Sequence, residues 1–108
     1  MKRKNRADTE VYERQANLCK AFANATRLQL IGMLEDSDCW ASELQQGLQI
    51  SKANLSQHLS ILKAAGLVHT RRDGKQLFCK LAMQEVRKAT ALFRAILKSQ
   101  MRESRRWA

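Results

Sequence analysis

Residues 51–68 read SKANLSQHLSILKAAGLV. Ser51 has the chemistry of a helix N-cap, with a hydroxyl able to accept from the free amide of Asn54, and Gly66 supplies a left-handed stop at the other end. Between them Leu55, Leu59 and Leu62 recur at i, i+4 and i+7, which makes one buried stripe. At about 100° per residue the opposite face carries Ala53, Gln57, Ser60 and Ala64, flanked by Asn54, Ser56 and Lys63. A merely solvated helix would more often carry Glu and Lys there. Short, uncharged side chains suit base edges instead: Gln and Asn can pair bidentately with adenine, Ser can donate or accept, and Ala can touch a thymine methyl.

The flanking segments give this helix a context. Asn24 is a good cap for a helix running to about Glu35 on Leu28, Ile31 and Leu34, and a short helix from about Trp40 to Leu48 follows, with Ala41, Leu44 and Leu48 on its apolar side. The link Gln49, Ile50, Ser51 is short enough to make a helix-turn-helix of the last two helices. After Gly66, LVHTRR and KQLFCKL flank Asp73-Gly74, a two-residue hairpin signal. Alternation puts Leu77, Cys79 and Leu81 on one face of the second strand and Gln76, Phe78 and Lys80 on the other. Arg71, Arg72 and Lys75 then crowd the tip.

A helix from about Thr9 to Phe22 opens the domain, and one from Met83 to about Arg105 closes it. The closing helix carries Val86, Ala89, Thr90, Phe93, Ile96, Leu97 and Met101 near one stripe. A small winged domain cannot cover so long a stripe, which implies a two-fold subunit interface joined by the first helix. The alternative is that the helix folds back onto its own domain. The expected architecture is therefore mainly α with a small β-hairpin wing: a winged helix-turn-helix, dimeric through its first and last helices. Residues 1–8 form a basic disordered arm and residues 9–106 a single DNA-binding and dimerisation domain.

Charge agrees with that reading. Twenty Lys and Arg against ten Asp and Glu give +10, which points to a polyanionic partner. No apolar run approaches the roughly 18 residues of a spanning helix, and MKRKNRADTE lacks the apolar core of a signal peptide, so a cytoplasmic protein without membrane partners is expected. Three cysteines without a close pairing motif argue against a secreted disulfide framework. Ser, His and Asp are too sparse for a hydrolytic triad, and no glycine-rich loop could hold a nucleotide. Neither an enzyme nor a cofactor is expected.

The segments AFANATRLQLIGML, SELQQGLQIS, SQHLSILKAAGLV and DGKQLFCKL, in that order, resemble the ArsR/SmtB family of small dimeric bacterial repressors over about residues 16–82. The resemblance implies a winged-helix homodimer that occupies a double-stranded operator, an inverted repeat, until an effector releases it. It places DNA contacts on Lys52, Asn54, Ser56, Gln57 and His58, with Arg71, Arg72 and Lys75 in the wing. Ser60 joins them from its position on the outer face. The family's thiolate box has two cysteines one residue apart just before an Asp/Glu-Leu pair, whereas Trp40 and Ser42 stand there ahead of Glu43-Leu44. Its other zinc site needs Asp and His on the last helix, and residues 83–108 contain neither. No metal site of those types is expected, and a metal-responsive repressor is a secondary reading. A nonspecific architectural DNA binder is another, and the uncharged outer face of residues 51–64 argues against it.

The reactive residues are few. His58, at the edge of the leucine stripe, and His69, alone in a strand, read as structural or phosphate-contacting. Cys19 and Cys79 fall on apolar faces, where a free cysteine behaves as a small hydrophobe. Cys39, at a helix start among polar neighbours, is expected to be the most accessible thiol, with Cys19 as its partner if control by oxidant, reactive sulfur or arsenite needs two sulfurs, and Cys79 is the third candidate for such control.

Overall fold

A computed structural model describes residues 6–107. The elements run α1 (Arg6–Phe22), α2 (Ala25–Asp36), β1 (Cys39–Trp40), α3 (Ala41–Leu48), α4 (Lys52–Ala64), β2 (Val68–Asp73), β3 (Gln76–Leu81) and α5 (Gln84–Trp107). Residues 6–8, expected in the basic arm, belong to α1, and residues 1–5, the rest of that expected arm, lie outside the described residues.

The caps follow the side-chain chemistry. The Asn24 amide oxygen accepts from the Arg27 backbone N–H at 3.0 Å, and the Ser51 hydroxyl accepts from that of Asn54 at 3.0 Å. Glu43 reaches back from α3 to accept from the Trp40 N–H at 2.9 Å. Gln49, at φ 53°, turns the chain from α3 into α4, and Gly66, at φ 76°, ends the segment after α4. The helix-turn-helix is thus present, with a left-handed glutamine at its corner.

The three strands are antiparallel in the order β1-β3-β2. The hairpin differs from the expected one by a residue. Asp73 pairs with Gln76, so the loop is Gly74-Lys75 rather than Asp73-Gly74. Gly74 alone of the two has positive φ, at 63°, which fits the primed turn with glycine in first position. The resulting change in pairing moves the register by two residues and leaves the alternation intact. Leu77, Cys79 and Leu81 accordingly face inward, as expected. Strand β1 was not foreseen, since two residues carry no periodicity.

The core gathers Leu30, Ile31 and Leu34 from α2, Leu44 from α3, Leu55, Leu59 and Leu62 from α4, and Val68, Cys79 and Val86. Burying each leucine contributes about 1.5–3 kcal/mol, which holds the helix-turn-helix against the sheet. Only the start of α5 joins this core, through Val86, Ala89 and the buried Thr90. There the Thr90 hydroxyl donates to Glu35 Oε1 at 2.5 Å, Arg94 pairs with Oε2 at 3.2 Å, and Arg87 donates to the Glu35 carbonyl, fastening α5 to the end of α2.

Beyond Thr90 the described side chains of α5 are exposed, including Leu92, Ile96, Leu97 and Met101, and so are Val11 and Tyr12 on α1. Phe22 and Phe93 meet edge to face, with centroids 5.4 Å apart, at the root of this apolar surface. The α-carbon radius of gyration is 16.8 Å, against about 13 Å for a compact chain of this length. Folding back onto the chain's own domain therefore accounts for the start of the α5 stripe and leaves its remainder uncovered.

Candidate nucleic-acid interface

A cleft of about 550 Å³ separates α4 from the wing. Lys52, Ser56, Ser60 and Lys63 line one wall, spaced one helical turn apart along α4. Thr70, Arg72, Lys75 and Gln76 line the other, with Ser42 and Gln45 of α3 at the side. Four cations and no carboxylate are among the lining residues. Such a trough fits a phosphodiester strand, whose affinity comes mainly from Lys and Arg neutralising phosphate charge.

The expected DNA-contacting residues divide by position. Lys52, Ser56, Ser60, Arg72 and Lys75 share the cleft. Asn54 and Gln57 are exposed on α4 outside it, free of the leucine stripe and accessible to a groove. His58 turns the other way. It is half-buried, and its Nδ1 lies 3.2 Å from Arg27 Nη1, while the same guanidinium donates to the carbonyls of Ala21 at 2.7 Å and Lys20 at 3.0 Å. Arg27 thereby satisfies the C-terminal carbonyls of α1 and anchors α4 to that helix end through His58, which lies outside the cleft.

Arg71 and Arg72 do not crowd one tip. Successive strand residues point to opposite faces, and Arg72 shares the cleft side with Thr70 and Leu77. Arg71 lies on the reverse side, its guanidinium carbon 5.7 Å from the centroid of the Phe78 ring. Phe78 in turn meets Trp40 edge to face at 5.0 Å. One row across the sheet, Trp40, Phe78 and Arg71, forms an aromatic brace with a cation at its end. Lys63, Thr70 and Gln76 were absent from the expected site; the helical spacing from Lys52 could have signalled Lys63, whereas the other two depend on how the wing docks.

The cysteines reverse the sequence expectation. Cys39 is buried, not the most accessible thiol, because it lies in β1 rather than at an open helix start; burial and the carboxylates of Glu43, Asp38 and Asp36 push its pKa up. Cys19 is the exposed one, and Cys79 is buried on the inner face of β3. The cross-strand partner of Cys39 is Cys79, not Cys19. Among the described residues no group of three His, Cys, Asp or Glu side chains is placed to hold a metal ion. No described helix is long and apolar enough to cross a membrane.

A helix-turn-helix whose second helix shares a cationic cleft with a β-hairpin defines the winged helix-turn-helix class of protein. A profile described as bacterial regulatory protein, arsR family, matches residues 24–70, from α2 into β2. The transcriptional activator HlyU of Vibrio cholerae is 43% identical over 70 residues, 65% of this chain and 65% of its own length. Its reduced form superposes with a TM-score of 0.74 at 34% identity, over 85% of this chain and 97% of that one. The biofilm growth-associated repressor of Xylella fastidiosa strain Temecula1 is 39% identical over 66 residues, 61% of this chain and 58% of the repressor. An uncharacterised HTH-type transcriptional regulator of Mycobacterium tuberculosis strain H37Rv is 30% identical over 88 residues, 81% of this chain and 77% of the regulator. Its crystal structure covers 87% of this chain and 95% of its own with a TM-score of 0.81, at 27% identity. The chain belongs to the ArsR family. The aligned stretch spans less than two-thirds of the length of both HlyU and the biofilm repressor.

Proposed function

We propose that this protein is a cytoplasmic, non-enzymatic transcriptional regulator that represses by occupying a double-stranded operator as a homodimer and is released by an effector. The observation that carries the reading is the cleft, where four cations on α4 and the wing surround a trough without carboxylates. Asn54 and Gln57 stand beside it, uncharged and exposed, as base reading in the major groove requires. The apolar surface on α1 and the outer part of α5 supports the dimer, because a monomer would leave Tyr12, Leu92, Ile96, Leu97 and Met101 in water. Two such subunits present two α4 helices, so the operator is an inverted repeat with half-sites about one or two DNA turns, roughly 10 to 21 base pairs, apart.

Sedimentation and footprinting on the protein's own upstream DNA test the reading together. A dimer protecting a two-fold symmetric site is expected, with Ile96→Glu giving a monomer that no longer protects it. A wild-type monomer at micromolar concentration would refute the interface. Equal affinity for upstream and unrelated DNA would favour an architectural binder.

A further inference from the structure

Cys39 and Cys79 stand directly opposite one another on β1 and β3. Opposed residues of an antiparallel pair project from the same face, with α-carbons about 4.5 or 5.5 Å apart. A disulfide needs roughly 4.4–6.8 Å between α-carbons. The strand register alone therefore brings the pair within the required range. The two groups also sense one another: desolvation and the neighbouring Cys39 push the Cys79 thiol up to about 11.

Their access differs. Cys39 lines a shallow groove of about 490 Å³ with Met33, Asp36, Ser37, Glu43 and Gln46, whereas Cys79 is not among the lining residues. The Cys39 thiol donates to the Ser37 carbonyl at 3.3 Å. Asp36 and Glu43 make the groove unfavourable for anionic reagents, so a small neutral oxidant is the chemistry it admits.

We infer that Cys39 and Cys79 form a dithiol modification site, closed to an intramolecular disulfide by hydrogen peroxide, and that closure weakens DNA binding. The Cys39 sulfur attacks one peroxide oxygen and breaks the O–O bond. The thiol proton passes to the departing hydroxide, giving water and a Cys39 sulfenic acid. The Cys79 sulfur then attacks the Cys39 sulfur; the S–S bond forms and the hydroxyl leaves with the Cys79 proton as a second water. Two thiols lose two electrons and two protons, and one peroxide becomes two waters. A dithiol reductant reverses the step.

The crosslink acts where both walls of the cleft begin. Trp40, next to Cys39, is the N-cap of α3, and Cys79 is the register partner of Thr70, which lines the cleft on the wing side. Drawing β1 against β3 resets the helix-turn-helix relative to the wing. This consequence for DNA rests on the function proposed above, whereas formation of the disulfide does not.

The test uses the Cys19→Ser protein, which lacks the exposed thiol and keeps the pair. Reduced protein is treated with hydrogen peroxide, weighed intact, digested without reductant, and titrated against its upstream DNA. The expected result is a loss of two hydrogens, a peptide joining Cys39 to Cys79, and a roughly tenfold fall in DNA affinity, all reversed by dithiothreitol. Adding Cys39→Ser or Cys79→Ser should abolish both link and response, with Cys79→Ala replacing the latter if the serine variant fails to fold. Unchanged mass, oxygen added to Cys39 without a linked peptide, or a closed disulfide with unaltered affinity would overturn the inference. Failure of the reduced protein to bind DNA would instead refute the proposed function, and peptide mapping would still decide the disulfide.

Discussion

Arg71→Ala and Arg72→Ala remove the same charge from neighbouring residues and should have unlike effects on DNA binding. Arg72 lines the cleft with Lys52, Lys63 and Lys75, while Arg71 lies across the sheet against Phe78. If each cleft cation neutralises one phosphate, a dimer makes about eight contacts, and log affinity falls with log salt at a slope near −7. Between 50 and 200 mM salt the wild type then loses about 2 × 10⁴ in affinity. Arg72→Ala removes two contacts per dimer, lowers the slope to about −5, and reduces the loss over the same range to about 2 × 10³. Arg71→Ala should leave the slope near that of the wild type. Fluorescence anisotropy with a labelled duplex at several salt concentrations measures all three slopes. Equal reductions for the two variants, or a larger one for Arg71→Ala, would refute the assignment of the phosphate path to the α4 side of the wing.

Gln57→Ala should cost roughly 1 to 3 kcal/mol on the operator and leave binding to unrelated DNA nearly unchanged, as competition titrations would reveal. Glu35→Ala should lower unfolding stability by about 2 kcal/mol in denaturant melts, because it removes the charge-assisted bond from Thr90 and the weaker, solvent-facing pair with Arg94. Cys19 should react with iodoacetamide well before the two buried thiols in the folded protein, as mass mapping would report. The Cys79 thiol is raised from 9.0 to about 11 on folding, so its contribution to stability is complete below about pH 9 and lost as pH rises towards 11; the stability difference between wild type and Cys79→Ala should shrink over that interval.

Local chemistry made much of the fold legible. The leucine spacing in α4, the Ser51 and Asn24 caps, the Gly66 stop and the alternation of β3 are each determined within a few residues, and each reappears in the structure. The hairpin turn was misplaced by one residue because Asp73-Gly74 and Gly74-Lys75 are both acceptable loops, and the choice depends on pairing along both strands. The hydrophobic stripe of α5 was equally plain, and its length already implied that the domain could not cover it all; packing decided that the cover ends at Thr90.

What the sequence by itself determined, then, is the five helices and the hairpin, the faces that α4 and β3 bury, and the family resemblance carried by their order. Tertiary structure alone decided which side chains became neighbours. Arg71 and Arg72 separate because α4 packs against one face of the wing, His58 turns inward because Arg27 arrives from α2, and Cys39 loses its exposure because two residues of β1 pair with a strand 40 positions away. Such contacts join distant segments through packing, and no local periodicity records them.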